Sequence, residues 1–121
     1  MSADELAREA SSCDLYVHAA RIEVEGLSAL EVLRHGVVPI IARGPLTATS
    51  QFALSEDSEF EAGDARSLAG AIDVWIDRGP VGRQREARRY RCVGERYDIR
   101  ACVARLEEAY HRLVFEGRAR G

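Results

Sequence analysis

The 121-residue chain contains no lysine and no asparagine, and all 17 of its basic residues are arginine. That bias reflects GC-rich coding more than any function. Cysteine is scarce: Cys13, Cys92 and Cys102 form no C-x-x-C pair and have no close histidine partner. An odd thiol count without ligand spacing argues against a disulfide framework or a zinc site. Buried, inert thiols are the expected role, because free cysteine is usually a small core residue. Long apolar runs are also missing. No segment approaches the roughly 20 apolar residues of a membrane span. The opening stretch MSADELAREASS is acidic and polar, unlike a secretory signal. The expectation is a soluble, cytoplasmic chain. Nor does a D-x-D pair or a cluster of metal ligands occur, so neither a metal nor another cofactor is expected.

What is present suffices for one hydrophobic core, with 46% apolar and 31% charged residues. The net charge of −3 conceals an asymmetry. Residues 1–77 hold 14 acidic and 5 basic side chains, whereas residues 78–121 hold 6 and 12. Arginines 83, 85, 88, 89, 91, 96, 100 and 105 crowd the second part. Such a cluster reads as a solvated helix face, or as a surface for phosphate-bearing ligands or anionic lipid. Only Tyr90 and Tyr97 interleave with it, so nucleic acid is not the expected partner.

Patterning along the chain predicts alternating helices and strands. Residues 3–12 read as a short helix with Ser2 as N-cap and Glu5 completing a capping box. CDLYVHA is a compact apolar run with strand character. A helix is predicted over 26–35, with Leu27, Leu30, Val32 and Leu33 at helical spacing and Gly36 as its C-terminal cap. VVPIIA is a second strand, completing a parallel β–α–β unit. A long polar loop follows, RGPLTATSQFALSEDSEF, with one apolar island, FAL; loops of this length inside a compact domain are usually functional. EFEAGD predicts a third, shorter strand and a turn. Three helices close the chain: an amphipathic one over 65–78, an arginine-rich one over 81–95, and one over 99–115 with a regular apolar period. Residues 117–121 are expected to form a disordered tail.

The stretch EVEGLSALE, residues 23–31, places Glu23 and Glu31 around Gly26, with Glu25 beside the glycine. It leaves the first strand at its carboxyl end and enters a helix, the place where parallel sheets gather ligands. The N–H groups of Gly26, Leu27 and Ser28 are unsatisfied first-turn donors suited to a phosphate. Glu31 and Glu23 could each accept hydrogen bonds from hydroxyls. Together they outline a nucleotide–phosphate–sugar ligand. The opposing reading is that Glu23 and Glu25 merely favour the positive helix end while Glu31 is a surface residue. Spacing alone leaves both open.

The run CDLYVHAARIEVEGLSALEVLRHGVVPII resembles the C-terminal domain of family 4 glycosyltransferases, which are retaining enzymes of the GT-B fold. Their signature is a glutamate, seven residues and a second glutamate, followed by a helix, a glycine and an apolar strand with proline. Glu23, Gly26, Glu31, Gly36 and Pro39 keep that register. FEAGDARSLAGAID and YDIRACVARLEEAYHRL are similar to the family's later turn and closing helices, so the likeness runs from about residue 3 to 114. Val24, Glu25 and Ser28 depart from the usual glycine, aromatic and proline, and PLTATSQFAL replaces the usual G-G-x-P-E loop.

The resemblance implies a Rossmann-like α/β/α architecture with a short parallel sheet, the C-terminal half of a GT-B fold, over residues 1–116. It implies that Glu31 binds the ribose of a nucleotide-diphosphate sugar and that Glu23 serves catalysis at the sugar hydroxyls. The amides of Gly26 and Leu27 would hold the diphosphate, with Ser28 the further first-turn donor, and His18 is either a substrate contact or a structural residue. The implied reaction is retaining transfer of a hexose to a lipid or polysaccharide acceptor, without a metal. The acceptor domain and the first strands of the donor domain lie outside this stretch. The expected partners are therefore a nucleotide-sugar and an N-terminal glycosyltransferase domain in cis or in trans. A homodimer, and peripheral membrane contact through the intact enzyme, are further expectations, while the isolated chain should be inactive. The alternatives are a non-catalytic nucleotide-sugar-binding or protein-interaction module, and one subunit of a split enzyme.

Overall fold

A computed structural model describes residues 1–120 of the chain. Helix α1, Ala3–Ser12, opens on the expected capping box: the Glu5 N–H donates to Ser2 Oγ at 3.2 Å and the Ser2 N–H to the Glu5 carboxylate at 2.6 Å. Hydrogen bonds from the backbone and then the side chain of Ser2 hold the Glu5 carboxyl below its ordinary range. Strand β1, Leu15–His18, follows, and helix α2, Leu27–Leu33, carries the chain over to strand β2, Val38–Arg43. The β1–β2 pairing is parallel, with Leu15 opposite Val38 and His18 opposite Ile41. Strand β3, Glu59–Glu61, lies parallel on the other side of β2, giving the order β1-β2-β3. This is a Rossmann-like α/β arrangement, a short parallel sheet with flanking helices.

Strand β2 is the centre of the core. Val38, Ile40, Ile41 and Ala42 are all 0% exposed. Successive strand residues face opposite sides, so burial of all four means that both faces are covered. Pro39 lacks an N–H, yet it sits inside this strand. Pairing with β3 starts only at Ile41, so the flank towards β3 has no ladder to break at Pro39.

Helix α3, Ala65–Asp77, is capped by Asp64, whose carboxylate accepts from the Arg66 and Ser67 N–H groups, and it buries Ala71 and Trp75. Helix α4, Gly79–Arg96, buries Glu86, Tyr90 and Gly94 against the rest. Gly94 is there for close approach: a Cβ on it would lie 2.5 Å from the Arg34 backbone nitrogen at the end of α2. Helix α5, Ile99–Ala119, starts at the Asp98 cap and buries none of its residues. Among the described residues no helix is long and apolar enough to cross a membrane.

Several expectations change. The helix predicted over 26–35 contracts to α2, because Gly26 adopts φ 70 and the chain tightens to three-residue turns at His35 and Gly36. Gly36 itself takes the left-handed φ of 73 expected of a cap. The arginine-rich helix starts at Gly79, since Pro80 fits a first turn where no N–H is needed. Of the tail over 117–121, helix α5 includes residues up to Ala119, while Gly121 lies outside the described residues. The thiols are not buried: Cys13 and Cys92 are exposed and Cys102 is half-buried. Cys13 lies in the α1–β1 connector. Cys92 is two positions from the buried Tyr90, which places it on the far side of α4.

Candidate functional site

Two segments leave the carboxyl ends of neighbouring strands and meet. The segment after β1 carries Glu23, and the segment after β2 carries Thr47 and Thr49. They join through a one-residue parallel bridge between Glu23 and Thr47. The Glu23 N–H donates to the Leu46 carbonyl at 3.0 Å, and the Ala48 N–H donates to the Glu23 carbonyl at 2.9 Å. Both bonds are backbone bonds, so the position of Glu23 is set while its carboxylate stays free for other work.

That carboxylate lies between the Gly26 amide and the His18 ring. Oε1 is 3.4 Å from the Gly26 nitrogen and Oε2 is 3.5 Å from His18 Nε2. His18, the last residue of β1, is only 7% exposed. Its Nδ1 is 2.9 Å from the Tyr16 hydroxyl, and its Nε2 is also 3.5 Å from Thr49 Oγ1. Burial pushes the Tyr16 phenol above its ordinary pKa; a hydrogen bond from Ser28 opposes the rise and the charge of Glu23 adds to it. Gly26 is buried, and a Cβ there would lie 3.0 Å from Thr49 Oγ1 and 3.1 Å from the Phe52 ring. The loop over 44–52 therefore closes directly on the motif.

The long polar loop is an ordered shelf, and its apolar island is the reason. Phe52 enters the core and meets Tyr97 edge-on at 5.3 Å between ring centroids. Beyond it, the Leu54 N–H donates to the Tyr90 hydroxyl oxygen at 2.9 Å. Burial raises the pKa of that phenol, against the hydrogen bond from Leu54.

The residues singled out in the sequence divide into two groups. His18, Glu23 and Gly26 come together. Leu27, Ser28 and Glu31 lie on the exposed part of α2, with Leu27 and Glu31 one turn apart on the same face. Glu25 is exposed and does not enter the His18 cluster. The Gly26 amide, expected to be open to a phosphate, faces Glu23 instead, and α2 has seven residues rather than ten. Tyr16, Thr47 and Thr49 were not among the expected site residues. Tyr16 could have been found, because strand residues two apart share a face and His18 was already singled out. For the threonines the only sequence signal was loop length.

The arginine cluster has a role absent from the readings of its charge. Arg83 donates to the Trp75 carbonyl at the end of α3, Arg91 to the His35 carbonyl beyond α2, and Arg105 to the Arg96 carbonyl at the end of α4. Cationic donors at carbonyl ends of helices satisfy groups that the helix leaves unpaired. These three side chains pin one helix to the next. Near them, at the amino ends of the strands, a hollow of about 250 Å³ is lined by Cys13, Asp14, Val37, Arg83 and Gln84. It lies at the opposite end of the sheet from Glu23.

No protein-family model matches the chain, and no curated protein matches it. Among solved structures it is similar to the catalytic domain of cholesterol-α-glucosyltransferase from Helicobacter pylori, with 40% identity and a TM-score of 0.74. The match covers 80% of this chain and 60% of that one, so the chain corresponds to little more than half of that catalytic domain.

Proposed function

We propose that the chain is part of a glycosyltransferase and supplies the donor side of its active site, binding a nucleotide-diphosphate sugar for retaining transfer of a hexose. One observation carries this reading: the shelf after β2 closes on Glu23 at the carboxyl end of a parallel sheet, in a chain 40% identical to a glucosyltransferase catalytic domain. In this reading Glu31, exposed on α2, accepts hydrogen bonds from the ribose. The amides of Leu27 and Ser28 face the diphosphate, joined by Gly26 when Glu23 swings onto the sugar. Glu23 is the catalytic residue, and its fixed backbone lets the carboxylate exchange intramolecular donors for sugar hydroxyls. His18, buried between Tyr16, Thr49 and Glu23, acts from behind rather than by touching substrate. Fixed donors aimed at the departing diphosphate stabilise the charge that develops there. The acceptor, a lipid or a polysaccharide, would be bound by a further domain in cis or in trans.

Calorimetric titration with UDP and UDP-glucose tests the assignment. Glu31→Ala should weaken both ligands, whereas Glu23→Ala should weaken only the sugar nucleotide and, in a completed enzyme, mostly reduce transfer. Losing a hydrogen bond to a charged acceptor costs about 1.5–3 kcal/mol, or roughly tenfold or more in affinity. Equal and negligible effects of the two substitutions would remove the glutamates from the site.

A further inference from the structure

We infer that Tyr16 is a positioning residue for Glu23, acting through the tautomer of His18; the functional part of this inference rests on the donor-site reading above. A neutral imidazole carries one proton, on Nδ1 or on Nε2. His18 Nε2 lies 3.5 Å from a Glu23 carboxylate oxygen, which can only accept while it is ionised. A bare Nε2 lone pair facing that oxygen would be repulsive, so the favourable tautomer has its proton on Nε2. Nδ1 is then an acceptor, and the group facing it at 2.9 Å must donate. Tyr16 has the proton to give. Its burial and the neighbouring Glu23 charge both favour the protonated phenol.

The Glu23 carboxylate and the Tyr16 hydroxyl thus act together to place the His18 hydrogen on Nε2, where it faces the Glu23 carboxylate on the inner side of the site. Thr49 Oγ1, 3.5 Å from the same Nε2 and 0% exposed, closes the cluster from the shelf. Ser28 also contacts the phenol, so the first turn of α2 and the last residue of β1 are linked through one side chain. Outer-lying partners of this kind commonly fix the tautomer and orientation of a working histidine. Glu23 held in this way leaves the Gly26 amide when a sugar hydroxyl arrives, and His18 keeps the carboxylate from swinging out to solvent.

Nitrogen-15 NMR of the histidine-labelled full chain tests the step without any ligand. In the wild type, His18 should be the Nε2–H tautomer. Tyr16→Phe, which removes only the hydroxyl, should weaken that preference, so that the Nδ1–H tautomer appears beside the Nε2–H form. An Nδ1–H tautomer in the wild type, or a tautomer unchanged in Tyr16→Phe, overturns the inference. A second measurement connects it to binding. Tyr16→Phe should weaken UDP-glucose roughly fivefold while leaving UDP unchanged, the size expected for one lost net hydrogen bond. His18→Gln has no tautomer to set, so adding Tyr16→Phe to it should change nothing further. If no variant binds UDP-glucose, the donor-site reading fails, and the tautomer result still decides the role of Tyr16.

Discussion

Replacing Gly26 by alanine should damage both stability and the site, and the structure allows the size to be worked out. Gly26 has φ 70, and a Cβ in that conformation collides with its own carbonyl at roughly 1–2 kcal/mol. The new methyl would also lie 3.0 Å from Thr49 Oγ1 and 3.1 Å from the Phe52 ring, closer than ordinary contact. Phe52 is packed in the core, so the shelf must shift as a unit, and overpacking of this kind costs typically about 1–3 kcal/mol. The expected loss is about 2–5 kcal/mol, a large fraction of the roughly 5–15 kcal/mol that stabilises a typical domain. Gly70 provides the control. It lies inside α3 without a positive φ, and a Cβ there meets nothing within 4 Å. Gly70→Ala should therefore stabilise by about 1 kcal/mol, the ordinary helix-propensity difference. Urea unfolding measures both, through a midpoint shift at unchanged slope. A Gly26→Ala protein as stable as the wild type would refute the claim that the shelf is seated on this glycine.

Three further outcomes are expected. Transfer by a completed enzyme should survive EDTA, because the chain has no D-x-D pair; activity lost to EDTA and restored by Mg²⁺ or Mn²⁺ would show that fixed donors are not enough. The raised phenol pKa values of Tyr16 and Tyr90 mean that the folded state holds those protons more tightly than the unfolded chain does. Their contribution is complete below the ordinary phenol value of about 10 and is lost as pH rises through the folded values. Alkaline urea titrations should show this loss reduced in Tyr16→Phe and Tyr90→Phe, and an identical loss in all three proteins would count against it. Finally, Ile99, Val103, Leu106, Tyr110 and Leu113 form an exposed apolar seam on α5 at alternating four- and three-residue steps, and β1 is an open sheet edge. The purified chain should self-associate, with Leu106→Glu shifting it towards monomer in light scattering; a wild type that stays monomeric at every concentration would exclude the seam as a self-association surface.

Much of the fold was legible because its signals are local. The capping box at Ser2 and Glu5 needs only residues three apart, and the apolar run of β2 reports two-sided burial, whereas β1, apolar as well, leaves Val17 exposed at the sheet edge. Gly36 marks a left-handed stop on its own account. The register of Glu23, Gly26 and Glu31 is a sequence property as well, and it singled out the strand-to-helix junction. The misplacements have a common origin. Whether Cys13 and Cys92 face the core depends on which side of an element meets the sheet, and composition carries no such information. The arginines looked like a charged face because their partners, carbonyls at the carboxyl ends of three helices, are backbone atoms common to every residue.

What the tertiary structure alone decided is the interior of the site. Thr49 and His18 are 31 positions apart, and no periodicity links a loop threonine to a strand histidine. They meet because β1 and β2 are parallel neighbours, so that the segments leaving their carboxyl ends start side by side. Phe52 then sinks into the core and draws the shelf down onto Gly26. The sequence determined that two glutamates and a glycine stand at a strand-to-helix junction. Only the packing of the second segment over the first decided that Glu23 lies against a buried histidine backed by a half-buried tyrosine, because that contact depends on distances in space rather than along the chain.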